Sequence, residues 1–278
     1  MAIKTIMCVV GVKVGDGDLQ TAISLCAENN AQLSVLVVSF ASPPPIGDYT
    51  STISDAWLEE RTREVQKLAK RAGKVAEVVR TAGISASVHS EYAEFVWTAD
   101  TIGRYGRYSD LTLIGPEALK SDVLRSKVIE GALFESGRPL LILPAGSAPT
   151  LTPKRVLLAW DSRLESARAA REALEMLIGA DEVHVTIVDP DTSSMMNGPE
   201  PGADVGSYLA HHGVRVIVDR LPSGGNPVAD VLNQHAVDIN ADLIVMGGYG
   251  HSRLRERVFG GVTKSMIDVP KFPILMAR

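Results

Sequence analysis

The chain has 278 residues, room for two domains of ordinary size, and 45% of them are hydrophobic, enough for two cores. Only 5% are aromatic and the net charge is −5, so neither a stacking platform nor a basic face for nucleic acid is expected. Two cysteines, Cys8 and Cys26, make neither a disulfide framework nor a zinc-ligand spacing, and no apolar run approaches a membrane span. The start, Met-Ala-Ile-Lys-Thr-Ile-Met, lacks the features of a signal peptide, so a soluble cytoplasmic protein is expected.

In chain order, Ile3–Val10 is an apolar run that reads as a strand, with Cys8 inside it as a small buried hydrophobe. A helix-period run follows at Leu19–Asn29, then a second strand at Leu33–Val38. After the proline-rich Ser42–Ile46, the spacing predicts a long helix from about Thr52 to Ala82. Its apolar face carries Leu58, Val65, Leu68, Ala72, Val75 and Val79. Ser109–Gly115 and Arg138–Pro144 are further strands, and Ala145–Pro153 is composed like a linker.

The second part repeats the first. Lys154–Trp160 answers Ile3–Val10, and Leu164–Ile178 is the helical run behind it. Val183–Val188 answers Leu33–Val38. A polar segment, Asp189–Gly202, leads to a short helix, a third strand at Val214–Asp219 and a third helix at Val228–Val237. Ala241–Gly247 parallels Ser109–Gly115, and Phe272–Ala277 parallels Arg138–Pro144. Short apolar strands alternating with helices imply parallel sheets covered on both faces. The boundary between copies is placed at 147/148.

Between the strand Ala241–Met246 and the helical run Val262–Ile267 lies the most specific segment of the chain. Gly247, Gly250 and Gly260 are spaced Gly-x2-Gly-x9-Gly, and Gly261 and Val262 open the helix. Glycine lets successive amides turn inward together, and a helix start adds free N–H groups and a positive dipole end, a combination that suits phosphate. The spacing is neither the Walker pattern nor the dinucleotide fingerprint. A glycine-rich turn that binds nothing would look similar on glycines alone.

This loop resembles the ATP-binding loop of the universal stress protein family, Gly-x2-Gly-x9-Gly-Ser/Thr, and the two copies resemble two such domains in tandem, 1–147 and 148–278. The resemblance implies an α/β fold of two doubly wound parallel five-stranded sheets, adenine-nucleotide α-hydrolase-like, with strand order 3-2-1-4-5. Ligands of such sheets sit beyond the carboxyl ends of the strands where the winding reverses. The resemblance thus implies ATP, with Mg²⁺ as its companion, in the second copy. Asp161, after its first strand, would lie toward ribose and phosphates; as a purely structural residue it would instead cap the helix that follows. Ala159, Val188 and Met246 would wall the adenine, and Gly247, Gly250, Gly260, Gly261 and Val262 would hold phosphate. Gly261 departs from the family's Ser/Thr and removes a hydroxyl, for which Thr263 or Ser252 are candidate substitutes. His251 and Arg253 could approach the phosphates or stay solvated.

The first copy lacks these features. Gly11 stands where Asp161 stands, Gly115-Pro-Glu-Ala-Leu119 replaces the glycine loop, and Ser126-Lys127 replaces Gly260-Gly261. Glu117 would repel polyphosphate and Pro116 removes an N–H. No metal site is expected. His211-His212 is the one suggestive pair, and adjacent helical side chains diverge.

The resemblance implies a nucleotide-dependent stress-response switch or scaffold, with an unknown protein partner, at most slow hydrolysis, a pseudo-dimer within the chain and a homodimer of chains as an option. An adenylating enzyme would need a Ser-Gly-Gly-x-Asp-Ser loop that is absent here. Against the switch stand a flavin-binding electron-transfer protein and a nucleotide-free dimerisation module.

Overall fold

A computed structural model of the chain describes residues 3–42, 55–190, 200–249 and 261–278. The chain divides into two compact units, one of Ile3–Arg138 and one built on Pro139–Arg278.

In the first unit the elements run β1 (Thr5–Gly11), α1 (Gly17–Asn29), β2 (Gln32–Ala41), α2 (Asp55–Ala82), β3 (Ala86–Glu94), α3 (Thr98–Gly106), β4 (Leu111–Ile114), α4 (Pro116–Leu119) and α5 (Asp122–Glu130). A π-helical turn, Gly131–Ser136, closes it. β1 pairs in parallel with both β2 and β4, and β2 with β3, giving the order β3-β2-β1-β4. β1 and β2 are buried along most of their length, the pattern of a parallel strand covered on both faces. The predicted strands and first helix lie where their apolar runs placed them. β3 has no such run: its sequence, ASVHSEYAE, has no fully buried residue. It is an edge strand held by its register with β2, which periodicity alone does not reveal.

The long helix covers the expected span from Asp55 onward. Leu68, Val75 and Val79 are buried, but Leu58 and Val65 are 45% and 42% exposed. Length accounts for Leu58. A helix of 28 residues spans about 42 Å, whereas the nine residues of β3 span about 30 Å, so roughly the first two turns of α2 exceed the strand beside them.

The second unit contains β5 (Leu140–Ile142), β6 (Arg155–Ala159), α6 (Leu164–Glu172), α7 (Leu174–Gly179), β7 (Glu182–Val188), α8 (Ala203–His211), β8 (Val216–Leu221), α9 (Val228–Asp238), β9 (Leu243–Gly247), α10 (Gly261–Asp268) and β10 (Ile274–Ala277). β6 to β10 are parallel and take the order 3-2-1-4-5 within this repeat: β8-β7-β6-β9-β10. β5 is the antiparallel partner of β10, with Leu141 opposite Leu275. The helical run expected over Leu164–Ile178 is broken at Ala173, which has φ −84° and ψ −3° and separates α6 from α7. Among the described residues no helix is long and apolar enough to cross a membrane.

Candidate functional site

The carboxyl ends of β6 and β9 are neighbours, with Ala159 in register with Met246. β7 flanks them, with Thr186 beside Ala159. Val188 lies two residues further along β7, so Ala159, Val188 and Met246 share one sheet face. Met246 is 4% exposed and belongs to the core, whereas Ala159 and Val188 are half-buried at the strand ends.

Beyond β6 the chain turns sharply. Trp160 donates its backbone N–H to the Thr186 carbonyl at 2.9 Å, and its indole N–H to the Ser162 hydroxyl at 3.1 Å. Ser162 takes φ 61°, the left-handed region. The Asp161 carboxylate accepts from the Arg163 backbone N–H at 3.1 Å, and its other oxygen lies 3.8 Å from Arg163 Nε. Asp161 therefore stabilises the turn before α6, and its side chain stays 59% exposed. Arg163, not Asp161, occupies the N-cap position of α6.

Gly247 meets its residue requirement sterically. A Cβ at this position would stand 2.6 Å from the backbone of Glu165 and Ser166, so β9 ends pressed against the first turn of α6. Gly248 then donates to the Ala277 carbonyl at 2.8 Å. Tyr249 takes φ 62° and turns its phenol inward, where burial and then the Asp268 charge raise its pKa. Gly250, His251, Ser252, Arg253 and Gly260 lie outside the described residues. The chain returns at Gly261, the first residue of α10, where a Cβ would meet none of the described residues within 4 Å. Val262 is half-buried, and Thr263 is 7% exposed, which turns its side chain toward the core.

Asp189 also stands at this mouth, directly after Val188, and no sequence motif marks it. It takes φ 48°, and its carboxylate accepts from the Ser223 backbone N–H at 2.8 Å. The Ser223 hydroxyl and that N–H hold its pKa below the ordinary carboxylate value. The one signal that could have found it is an aspartate at a strand end, one of the few residue types that tolerate positive φ.

The corresponding mouth of the first unit is filled by the chain itself. The Asp18 carboxylate, 3% exposed, accepts from the backbone N–H groups of Glu117 at 3.1 Å and Ala118 at 2.8 Å. Glu117 in turn accepts from the Gly17 N–H at 3.1 Å. Each carboxylate thus occupies the start of the other's helix, α4 and α1, where an anion is favoured. Arg71 of α2 closes over the β1–α1 loop, 2.7 Å from Asp16 and donating to the Val14 and Gly15 carbonyls at 3.0 and 3.2 Å. In the second unit the residue beside Gly247 is Ser166, and its hydroxyl turns back to the Arg163 carbonyl at 2.8 Å.

Residues 152–278 match the model of the universal stress protein family. No curated protein matches the chain. Among solved structures, a universal stress protein from Archaeoglobus fulgidus DSM 4304 superposes with a TM-score of 0.66 at 17% identity, covering 98% of this chain and 96% of its own. A putative universal stress protein from Pseudomonas aeruginosa UCBPP-PA14 gives 0.54 at 15% identity over 99% of this chain and 93% of its own. A functionally unknown protein from Pseudomonas aeruginosa PAO1 gives 0.52 at 15% identity, with 99% and 92% covered. At these identities the likeness establishes a shared fold across both repeats.

Proposed function

We propose, from the match of residues 152–278 to the universal stress protein family model, that the second repeat binds one ATP-class nucleotide per chain. The adenine lies against Ala159 and Val188, with Met246 as the floor beneath. Asp161 reaches toward the ribose or a Mg²⁺ ion, and the backbone from Gly247 through Gly250 and Gly260 to Gly261 and Val262 receives the phosphates. The repeats divide at 147/148, and the first takes no nucleotide. The protein works as a nucleotide-occupied switch or scaffold read by a protein partner, because the sequence has no Walker lysine and no described side chain at this mouth is placed to orient an attacking water. Cytoplasmic residence and a dimer of chains belong to the same reading.

One contrast carries it. A Cβ at Gly261, the start of α10, meets none of the described residues within 4 Å, while in the first repeat Asp18 and Glu117 fill the helix starts that follow β4 and β1. Binding measured by calorimetry with Mg·ATP is expected at one site per chain. Gly261→Glu is the decisive variant. Gly261 is exposed and a Cβ there meets none of the described residues, and an acidic residue suits a helix N-terminus, so stability holds or rises slightly. The same charge repels phosphate, and affinity falls by at least about tenfold, or 1.4 kcal/mol. Two equivalent sites, or unchanged affinity in Gly261→Glu, sink the proposal. Yellow absorbance in the purified protein would point instead to flavin.

A further inference from the structure

Away from that mouth, three side chains from three elements of the second unit converge on one point. His184 Nδ1 of β7 lies 2.7 Å from Asp219 Oδ2 of β8, and His235 Nε2 of α9 lies 2.8 Å from the same oxygen. The three atoms fall within 4.8 Å of one another. The imidazoles meet edge to face with centroids 5.9 Å apart. The side chains are 11%, 20% and 15% exposed in the order His184, Asp219, His235, sheltered but reachable. Behind His184 stands Glu182, whose Oε2 is 3.9 Å from the ring's other nitrogen, Nε2.

The register explains the convergence. Thr186 sits opposite Asp219, and His184, two residues earlier, points to the same face, so the pair is a diagonal cross-strand neighbour. α9 packs on that face and lowers His235 onto it near its C-terminal end. The first repeat does not reproduce the set. Leu33 opposite Ala86 corresponds to Val183 opposite Val216, which aligns Ser34 with His184 and His89 with Asp219. In that repeat Ser34 and His89 line an open polar cleft of ≈ 620 Å³.

We propose that His184, Asp219 and His235 bind one divalent first-row transition-metal ion of the zinc class. Two imidazoles and one carboxylate suit Zn²⁺, Co²⁺ or Ni²⁺, whereas Mg²⁺ and Ca²⁺ prefer oxygen shells. Without metal, each ring can place an N–H on the one carboxylate oxygen. A metal ion takes the place of those two protons, and each neutral ring keeps its proton by moving it to its other nitrogen. Bonds of about 2.0–2.1 Å in a tetrahedral site put donor atoms roughly 3.3 Å apart, so each ring nitrogen withdraws from Oδ2 by about half an ångström and the two nitrogens, now within 4.8 Å of each other, settle at that same spacing. With Nδ1 on the metal, His184 carries its proton on Nε2 and directs it toward Glu182, an outer carboxylate of the kind that fixes the ring of a ligating histidine. Partial exposure leaves a fourth position for water. Four residues of β7 separate His184 from Val188, about 13 Å, so the site is separate from the nucleotide reading and stands without it.

The test uses the full chain stripped with chelator and dialysed. Co²⁺ is titrated while visible absorbance is followed, Zn²⁺ is then added in competition, and bound metal is counted by mass spectrometry. One Co²⁺ per chain is expected, with the absorption of a low-coordinate site displaced by Zn²⁺. Affinity falls about a hundredfold in Asp219→Asn and His235→Gln and about tenfold in Glu182→Gln. The double variant His211→Gln, His212→Gln binds as the parent does. Circular dichroism and the metal-free unfolding midpoint confirm that each variant is folded. A readout without substitution accompanies them: Co²⁺ should shift the ring protons of two of the six histidines in the proton NMR spectrum. No uptake by the parent at about 100 µM free Zn²⁺, a shift of other than two histidines, or parental affinity in folded Asp219→Asn overturns the proposal and leaves a hydrogen-bonded His–Asp–His cluster only.

Discussion

Asp18→Ala tests whether the mouth of the first repeat is held shut by the Asp18 carboxyl group at the start of α4. The substitution removes the acceptor of two backbone N–H groups, those of Glu117 and Ala118. The Ala118 bond is buried, and an abandoned buried donor costs about 1–3 kcal/mol; the Glu117 N–H is better placed to find water and costs roughly 1. The expected loss is therefore about 2–4 kcal/mol, which lowers the thermal midpoint of the first unit's transition by roughly 6–12 °C. The pH dependence supplies a second, independent sign. Burial raises the Asp18 carboxyl above its ordinary 3.8, outweighing the backbone hydrogen bonds that favour its charge. A raised folded-state pKa means the native chain holds this proton to higher pH than the unfolded chain does. That contribution is complete below the unfolded value and is lost as pH rises through the folded one. Relative to Asp18→Ala, the parent should thus gain stability as pH is lowered from 7 toward 3.8. Urea unfolding of both proteins across this range, followed by circular dichroism, measures the difference. A loss under about 1 kcal/mol, or a difference that shrinks toward low pH, refutes the reasoning.

Two further outcomes follow from burial. Leu68→Ala should destabilise by about 2–5 kcal/mol and Leu58→Ala by no more than about 0.5, since the first side chain is 5% exposed and the second 45%; equal losses in urea unfolding would contradict the overhang of α2. Cys8 and Cys26 are 0% and 1% exposed, and burial raises both thiols, Cys26 to about 11. A thiol reagent at pH 8 should therefore titrate neither in the native protein and both after unfolding; prompt native reaction of either would show that its strand or helix opens.

What the sequence determined was local. A parallel strand covered on both faces must be apolar along its length, so β1, β2, β6, β7, β9 and β10 announce themselves as runs, and their recurrence reveals the repeat. The glycine of β9 was legible for a related reason: Gly247 meets backbone where any side chain would collide. Tertiary structure decided what depends on register and crossing. β3 is a strand because β2 offers it partners, not because its residues are apolar. α2 exposes Leu58 because the helix is longer than the strand beside it. Asp18 meets Glu117 across 99 residues because β1 and β4 are neighbours, which brings two helix starts together. His184, Asp219 and His235, 35 and 16 residues apart, form a cluster for the same reason. Hydrophobic burial is written in the spacing of neighbouring residues, whereas the meeting of distant polar groups is fixed only when the strands that carry them take their places in the sheet.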